Sequence, residues 1–423
     1  MKRIGPSNIK GAIKAPSSKS VMIRAVAASL LADGTSILRS PSYSVDSLAA
    51  LHIARTLGAD ISIEDSPKGD SYITIRGNRG LAERQIRGQV LECGESGLCM
   101  RMFTPIAGLL DRDIHLEAKG SLVERPVGMV EALSIMGAAV MTSQGFPPVK
   151  VKGPIRPGRY EIDGSQTSQF LTGLLMALPL CNGDSEIRVK GLMSKPYIRV
   201  TIDVMKRFGV EVLSEEDLSS LYIKGGQEYR AIAYSVEGDW SGASFMLVAG
   251  AIAGSITVYG LDMDSYQADK AIIDVLQRAG ATVDIGEDRI TVAKDELRSF
   301  DFFAESSPDL VPPLVTLAAH CRGKSVIHGI KRLRYKESNR LEALAKEFSK
   351  MGVGIKAFED GLEIMGGRVR PSVIDPHNDH RIAMACAVAG LDADGQVVIE
   401  NPECVAKSYP FFFDDLESSM EGK

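Results

Sequence analysis

The sequence predicts an α/β protein of six similar units, grouped as two domains of three, with its most apolar helices buried. Two periodic observations lead there. The first is a phrase in which an apolar strand runs into a polar loop: TSILRSPS, DIHLEAKG, SEIRVKGL, SITVYGLD, SVIHGIKR and QVVIENPE. Anchored on Leu38, Leu116, Val189, Val258, Ile327 and Ile399, its copies stand about 70 residues apart, too long for a solenoid repeat of about 20–50 residues. The second is a helix end closing on Gly58, Gly137, Gly209, Gly280 and Gly352 with the same beat. A unit of that length suits a small α/β subdomain with one sheet.

Within each unit the elements follow in order. Ahead of each repeated strand lies a helix that is apolar almost all round: Val21–Leu31, Met100–Leu110, Gln169–Leu180, Ala243–Ala253, Leu310–Ala319 and Ile382–Gly390. A helix without a polar face is buried on every side. After the strand and its loop comes an amphipathic helix, as in VDSLAALHIARTLGA or ESNRLEALAKEFSKMGV. A strand pair closes the unit, as in ADISIEDSPKGDSYITIRG or VEVLSEEDLSSLYIKGG. RIGPSNIKGAIKAP reads as the strand before the first buried helix, and AIAYSVEGDW as the strand before the fourth. The simplest closure has the first strand complete the sixth unit. Residues 1–15 with 236–423 then form one domain and residues 16–235 the other, with crossings near Ala15–Pro16 and Ser235–Val236. No low-complexity linker intervenes, so short hinges are expected, with the site in a cleft between the domains.

Composition narrows the partners. A net charge of −5 argues against a nucleic-acid or anionic-membrane surface while allowing local cationic pockets. Cys93, Cys99, Cys181, Cys321, Cys386 and Cys404 show no CxxC spacing, and read as buried free thiols in a reducing cytosol. MKRIGPSNIKG lacks the apolar stretch of a signal peptide, and the runs FLTGLLMALPL and FMLVAGAIAG are too short to span a bilayer. A cytoplasmic monomer without membrane or nucleic-acid partners is expected.

The charges suggest a ligand. SSKSVMIR, GESGLCMR, GSQTSQF, GDWSGAS, SSPD and NDHR precede or open the six buried helices. Capping of free N–H groups accounts for their Ser, Thr, Asp and Asn. It does not account for Lys19, Arg24, Arg101 or Arg381, because a cation is disfavoured at a helix N-terminus unless an anion is shared there. The polar loops after the strands carry Arg125, Lys195, Tyr197, Lys336, Arg340 and Lys407. Singly these are surface charges; at equivalent positions of equivalent units they point to one polyanionic small molecule, whose carboxylates or phosphates suit forked guanidiniums. Asp46, Glu95, Asp309, Glu337 and Asp379 stand among them, and a carboxylate among cations can move a proton. RGKSVIHG imitates the end of a P-loop but lacks its first glycine and leads into a strand. His377 and His380 have no third ligand at zinc-like spacing, so no metal is expected.

The ordered set SKS–R, ERP, DGS–SQF, SKPY, PD, KES–R, NDHR and AKS–P resembles the EPSP synthases, 3-phosphoshikimate 1-carboxyvinyltransferases, over essentially all 423 residues. The resemblance implies a two-domain inside-out α/β barrel, each domain made of three βαβαββ units. It implies transfer of the enolpyruvyl group of phosphoenolpyruvate to the 5-hydroxyl of shikimate 3-phosphate, with release of phosphate and without a cofactor, on the route to chorismate and the aromatic amino acids. By the same resemblance Lys19, Ser20, Arg24, Thr167, Ser168, Gln169, Ser194, Tyr197, Asp309 and Lys336 hold shikimate 3-phosphate. Lys19, Gly97, Arg125, Gln169, Arg340, Arg381 and Lys407 hold phosphoenolpyruvate. Asp309 resembles the base for the attacking hydroxyl, Glu337 the acid that protonates the methylene carbon, and Lys19 also suits proton transfer.

The chain departs from the family pattern in places. Glu95 replaces the usual asparagine of GNAGT, Leu98 the threonine and Met102 a proline common after the arginine; Ser17 replaces the glycine of PGSKS, and Arg332 an asparagine before the KE motif. Leu98 and Met102 are expected to shift their helix and weaken inhibition by glyphosate, which occupies the phosphoenolpyruvate half-site. The nearest rival is UDP-N-acetylglucosamine enolpyruvyl transferase, whose cysteine before the ARP motif has no counterpart in AKGSLVERP. An RNA 3′-phosphate cyclase would need a basic surface, against a pI near 5.8. Intact Lys19, Asp309, Glu337 and Lys407 argue against an inactive binding protein.

Overall fold

A computed structural model describes residues 1–65, 71–82, 85–128 and 130–422. Its contacts divide the chain into Met1–Pro16 with Glu237–Lys423, and Ser17–Val236. Each unit has its own apolar core. The tip of the first predicted hairpin, residues 66–70, lies outside the described residues.

In Ser17–Val236 the helices are α1 (Lys19–Leu31), α2 (Val45–Thr56), α3 (Gly97–Ala107), α4 (Val130–Ile135), α5 (Gln169–Ala177) and α6 (Lys195–Arg207). The described sheets share one design. A lead-in strand lies parallel to the strand that follows a buried helix, and an antiparallel pair completes the four. The orders are Ala233–Ser235, Thr35–Arg39, Ser71–Arg76, Asp60–Asp65; then Val90–Glu92, Ile114–Glu117, Phe146–Lys152, Ala139–Ser143; then Arg159–Asp163, Ser185–Lys190, Ser220–Ile223, Val212–Ser214. Helices α1, α3 and α5 are buried along nearly their whole length, as their composition requires. Gly173 lets α5 approach α3 closely, since a Cβ there would lie 2.4 Å from the Met102 carbonyl oxygen. The glycine closing α2, Gly58, has φ +101°, the left-handed conformation that ends helices.

The second unit carries α7 (Trp240–Ala253), α8 (Ile272–Ala279), α9 (Val311–Ala319), α10 (Arg340–Lys350), α11 (His380–Ala389) and α12 (Phe412–Ser418). Every residue of α7 is buried, and Trp240 Nε1 donates to the Asp262 carbonyl at 3.0 Å. Two four-stranded sheets are described here: Ile9–Lys14, Gly254–Tyr259, Arg289–Ala293, Thr282–Ile285, and Asp301–Phe303, Lys324–His328, Gly361–Met365, Gly354–Phe358. A three-stranded sheet joins Lys2–Ile4, Val397–Ile399 and Val373–Ile374.

The N-terminal segment divides its pairing. Lys2–Ile4 runs antiparallel to Val397–Ile399 of the sixth repeat, whereas the longer Ile9–Lys14 lies parallel to Gly254–Tyr259 of the fourth. Closure onto the sixth repeat alone therefore leaves out the main pairing. The reason is an exchange of lead-in strands. Ala233–Ser235, which precedes α7 in sequence, pairs with Thr35–Arg39, so the slot beside Gly254–Tyr259 is filled by Ile9–Lys14. The six cysteines are free and buried, and no helix among the described residues is long and apolar enough to cross a membrane.

Candidate active site

In Ser17–Val236 the expected side chains gather at the starts of α1, α3, α5 and α6. Ser18 caps α1 by accepting from the Val21 N–H. Lys19 then sits at the positive end of the helix, where Asp46 offsets it, with Nζ 3.1 Å from Oδ2. Arg24 is fully buried between helices. Its Nε donates to Thr201 Oγ1 at 2.9 Å, Nη1 to the Ser20 carbonyl at 2.7 Å, and Nη2 to Thr172 Oγ1 and the Tyr197 carbonyl. One guanidinium thus ties α1, α5 and α6 and fixes the backbone beside Ser20 and Tyr197. Burial pulls its pKa down to about 10, so it stays protonated at neutral pH. Ser194 adopts φ +53° ahead of α6, and its carbonyl accepts the Tyr197 N–H. Thr167 Oγ1 accepts the Gln169 N–H at the start of α5, and the buried Ser168 holds the Thr172 N–H with its carbonyl.

A second set surrounds Gly97, the first residue of α3. A Cβ at Gly97 would lie 2.6 Å from Arg101 Nη1 and 2.8 Å from Arg125 Nη2, so the bare glycine admits two guanidiniums. Arg101 donates to the carbonyls of Val127 and Pro126 and to Gln169 Oε1, holding the chain just after Arg125. Arg125 itself is buried, yet its Nε and Nη1 have no hydrogen-bond partner among the described residues. Leaving buried donors of a cation unpaired is costly. Glu95 packs against the turn just before Arg125. Its Oε2 accepts from Ser121 N and Oγ at 3.1 and 2.9 Å, bridging the α3 start to the turn that leads to Arg125. Leu98 and Met102 are buried in α3.

The other unit concentrates charge of both signs around Asp309, just before α9. Asp309 Oδ1 lies 3.0 Å from Arg340 Nη1 and 3.5 Å from Lys336 Nζ, and Oδ2 lies 3.3 Å from Arg381 Nη2. Arg340 opens α10 fully buried. Asp379 grips its Nε and Nη2 at 2.9 and 3.1 Å, and Glu337 takes Nη2 as well. Asp379 also caps α11 through the Arg381 N–H, which explains how Arg381 tolerates a helix start. Burial by itself would raise the Asp309 carboxyl, but Arg381, Lys336 and Arg340 together pull it far below the usual carboxylate range. Burial lowers the Lys336 ammonium, with Asp309 working in the opposite sense. Lys407 donates to the Asn378 carbonyl at 2.8 Å, in the residue before Asp379.

One buried acid lies outside the motifs quoted from the sequence. Asp269 accepts from Ser241 Oγ, while its Oδ1 is buried with no hydrogen-bond partner among the described residues. Burial, followed by the nearby Asp309, pushes it up to about 7. Its sequence signal is faint: an acidic residue just ahead of the apolar AIIDVL run.

Comparison with known proteins decides the family. The model of EPSP synthase, 3-phosphoshikimate 1-carboxyvinyltransferase, matches residues 4–416. The chain belongs to the EPSP synthase family. Relatives named 3-phosphoshikimate 1-carboxyvinyltransferase include one from Clostridium novyi, 37% identical over 98% of this chain and 96% of its own. Another, from Thermococcus kodakarensis, is 38% identical and covers 98% of both chains. The EPSP synthase of Acinetobacter baumannii superposes with a TM-score of 0.81 at 26% identity, covering 99% of this chain and 98% of its own. The enolpyruvyl transferase NikO of Streptomyces tendae shares the fold, with a TM-score of 0.77 at 18% identity over 99% of this chain and 96% of its own. The two-domain enolpyruvyl transferase fold expected from the sequence is the fold of this EPSP synthase family member. Its reaction moves the enolpyruvyl group of phosphoenolpyruvate to shikimate 3-phosphate, in the shikimate pathway, and the sugar-nucleotide alternative falls away.

Proposed function

We propose that the two clusters divide the labour of this reaction. Lys19, Ser20, Thr167, Ser168, Gln169, Ser194 and Tyr197 take shikimate 3-phosphate, and Arg24 supports them by fixing the Ser20 and Tyr197 backbone and adding its charge. Asp309 and Lys336 complete that set. Phosphoenolpyruvate is taken by Lys19, Gly97, Arg125, Gln169, Arg340, Arg381 and Lys407. The observation that carries this reading is Arg125, a buried guanidinium with two donors that lack a partner among the described residues, beside a glycine that keeps the space open. Its planar fork suits a carboxylate or phosphoryl group held by two parallel hydrogen bonds.

The proton chemistry follows from the charge balance. Glu337, which takes up a proton once anionic phosphoenolpyruvate engages Arg340, delivers it to the methylene carbon, with Lys19 as a second donor. The adjoining carbon becomes electrophilic and is attacked by the 5-hydroxyl oxygen, whose proton passes to Asp309. The Glu337 carboxylate takes back a methyl proton as inorganic phosphate departs, which restores the vinyl group. Asp309 is a weak base while three cations face it. Anionic substrate that engages Arg340, Arg381 and Lys336 weakens their field on Asp309 and raises its basicity when the hydroxyl proton must be taken. The cations then stabilise the departing phosphate.

Steady-state kinetics test the assignment. Arg125→Lys keeps the charge but removes the fork, and should raise KM for phosphoenolpyruvate with little change for shikimate 3-phosphate. Equal changes for both substrates would remove Arg125 from the donor site. Placement in a reducing cytoplasm is supported by the buried free cysteines. A monomer is supported by both clusters lying on one chain, and light scattering checks it.

A further inference from the structure

We propose that His377 is a positioning residue for the phosphoenolpyruvate-binding cations. It acts through Glu347, which holds the Asp375–Asp379 loop in the shape that serves Lys407, Arg340 and Arg381 together. This rests on the assignment of those three cations to phosphoenolpyruvate.

Helix α10 reaches the loop twice. At its first residue Arg340 binds Asp379, and two turns later Glu347 binds the start of the same loop. The Glu347 carboxylate is fully buried and is met by three donors. Oε1 accepts from His377 Nε2 at 2.9 Å, and Oε2 accepts from Lys350 Nζ at 2.6 Å and from the Asp375 N–H at 3.3 Å. An ionised carboxylate accepts only, so Nε2 faces Glu347 as an N–H, while Nδ1 lies 3.5 Å from Asp375 Oδ2. The Asp375 side chain turns the loop by accepting the His377 N–H at 2.8 Å.

The loop backbone is unusual at the same point. His377 and Asn378 have φ of +52° and +54°, a left-handed pair in which neither residue is glycine. Histidine and asparagine adopt this conformation more readily than most residues, but two in succession still cost free energy that the surroundings must offset. Here the His377 side chain is gripped by Glu347, while the next two residues do the work. The Asn378 carbonyl takes Lys407 Nζ at 2.8 Å; Asp379 binds Arg340 and caps the helix that starts with His380 and Arg381. Turning the 377–378 peptides to ordinary φ values would swing that carbonyl off Lys407. The grip of Glu347 on His377 thus sets the direction of a carbonyl on which a cation rests.

His377→Ala and His377→Gln in the full-length enzyme test the proposal by KM for each substrate, kcat and thermal midpoint. His377→Ala should raise KM for phosphoenolpyruvate by about tenfold, a modest loss of the kind that misplacement of a binding group produces, with KM for shikimate 3-phosphate nearly unchanged. His377→Gln, whose amide N–H can still reach Glu347 Oε1, should restore most of the loss. An unchanged KM for phosphoenolpyruvate, or equal rises in both KM values tracking a lower midpoint, overturns the proposal. Should the alanine variant fail to fold, Glu347→Gln must show the same selective rise. Lys407→Met separates the two layers of argument. If it raises KM for phosphoenolpyruvate while His377→Ala does not, positioning alone fails. If Lys407→Met leaves that KM unchanged, the donor-site assignment fails and the positioning role with it.

Discussion

Arg24 and Arg340 are both fully buried guanidiniums, one in each unit, and their surroundings are opposite. The described hydrogen-bond partners of Arg24 are neutral oxygens of Thr201, Thr172, Ser20 and Tyr197. Arg340 meets three carboxylates, those of Asp379, Asp309 and Glu337. Burial therefore lowers the Arg24 pKa, whereas around Arg340 the carboxylates outweigh burial and raise it. The first arrangement leaves its charge uncompensated by these partners, whereas the second sets carboxylates against its cation. In the proposed function the first suits binding of a polyanion and the second suits proton transfer, although both are built on the same repeated unit.

The largest expected effect removes the hub of the balanced side. Asp309→Ala should lower turnover by about 10²–10⁴-fold while circular dichroism shows the fold retained; an active variant would remove Asp309 from the mechanism. Next comes a stability contrast measured by urea unfolding. Arg340→Met strands buried carboxylates and should cost about 3–5 kcal/mol. Arg24→Met leaves only neutral acceptors unpaired and should cost about 1–3 kcal/mol, while weakening shikimate 3-phosphate binding. Equal losses would erase the distinction.

A smaller effect is expected at Gly97→Ala. The new Cβ meets the movable ends of Arg101 and Arg125, so the fold should survive while KM for phosphoenolpyruvate rises by about tenfold or less. Competition kinetics on the parent enzyme address the same helix start, where buried Leu98 and Met102 should make glyphosate inhibition weak relative to phosphoenolpyruvate binding. The last effect, on stability alone and confined to a range of pH, concerns Asp269. Its folded pKa of about 7 lies above the unfolded 3.8, so the folded state holds its proton longer, and stability falls as pH rises between those values. Asp269→Asn should therefore stabilise the protein by on the order of 4 kcal/mol at pH 8 and by little near pH 4. A pH-independent difference in thermal midpoint would show that Asp269 is ionised throughout.

Much of the site could be read from the chain because the relevant signals are local. Lys19, Asp309, Lys336, Arg340 and Arg381 stand at helix starts or in loops after repeated strands, and the structure places them there. Cap residues follow the same logic, with Ser18, Ser96, Asp239 and Asp379 each accepting a first-turn N–H. Arg24 was legible as a cation out of place, but its role as a tie among three helices was not, because its partners come from Thr172 and Thr201. Asp269 was missed because an aspartate ahead of an apolar helix ordinarily reads as a solvated cap. Only its surroundings bury it.

The sequence by itself determined the repeat, the burial of α1, α3, α5, α7, α9 and α11, and the set of chemical groups available, since periodicity and hydropathy act over a few residues. Tertiary structure alone decided the exchange of Ile9–Lys14 and Ala233–Ser235 between repeats, the pairing of Arg340 with Asp379, and the grip of Glu347 on His377. These partners are far apart in the chain, and meet only because strand pairing and helix packing bring their loops to one place. Charge balance at a buried point is a sum over such neighbours, so no local stretch of sequence contains it.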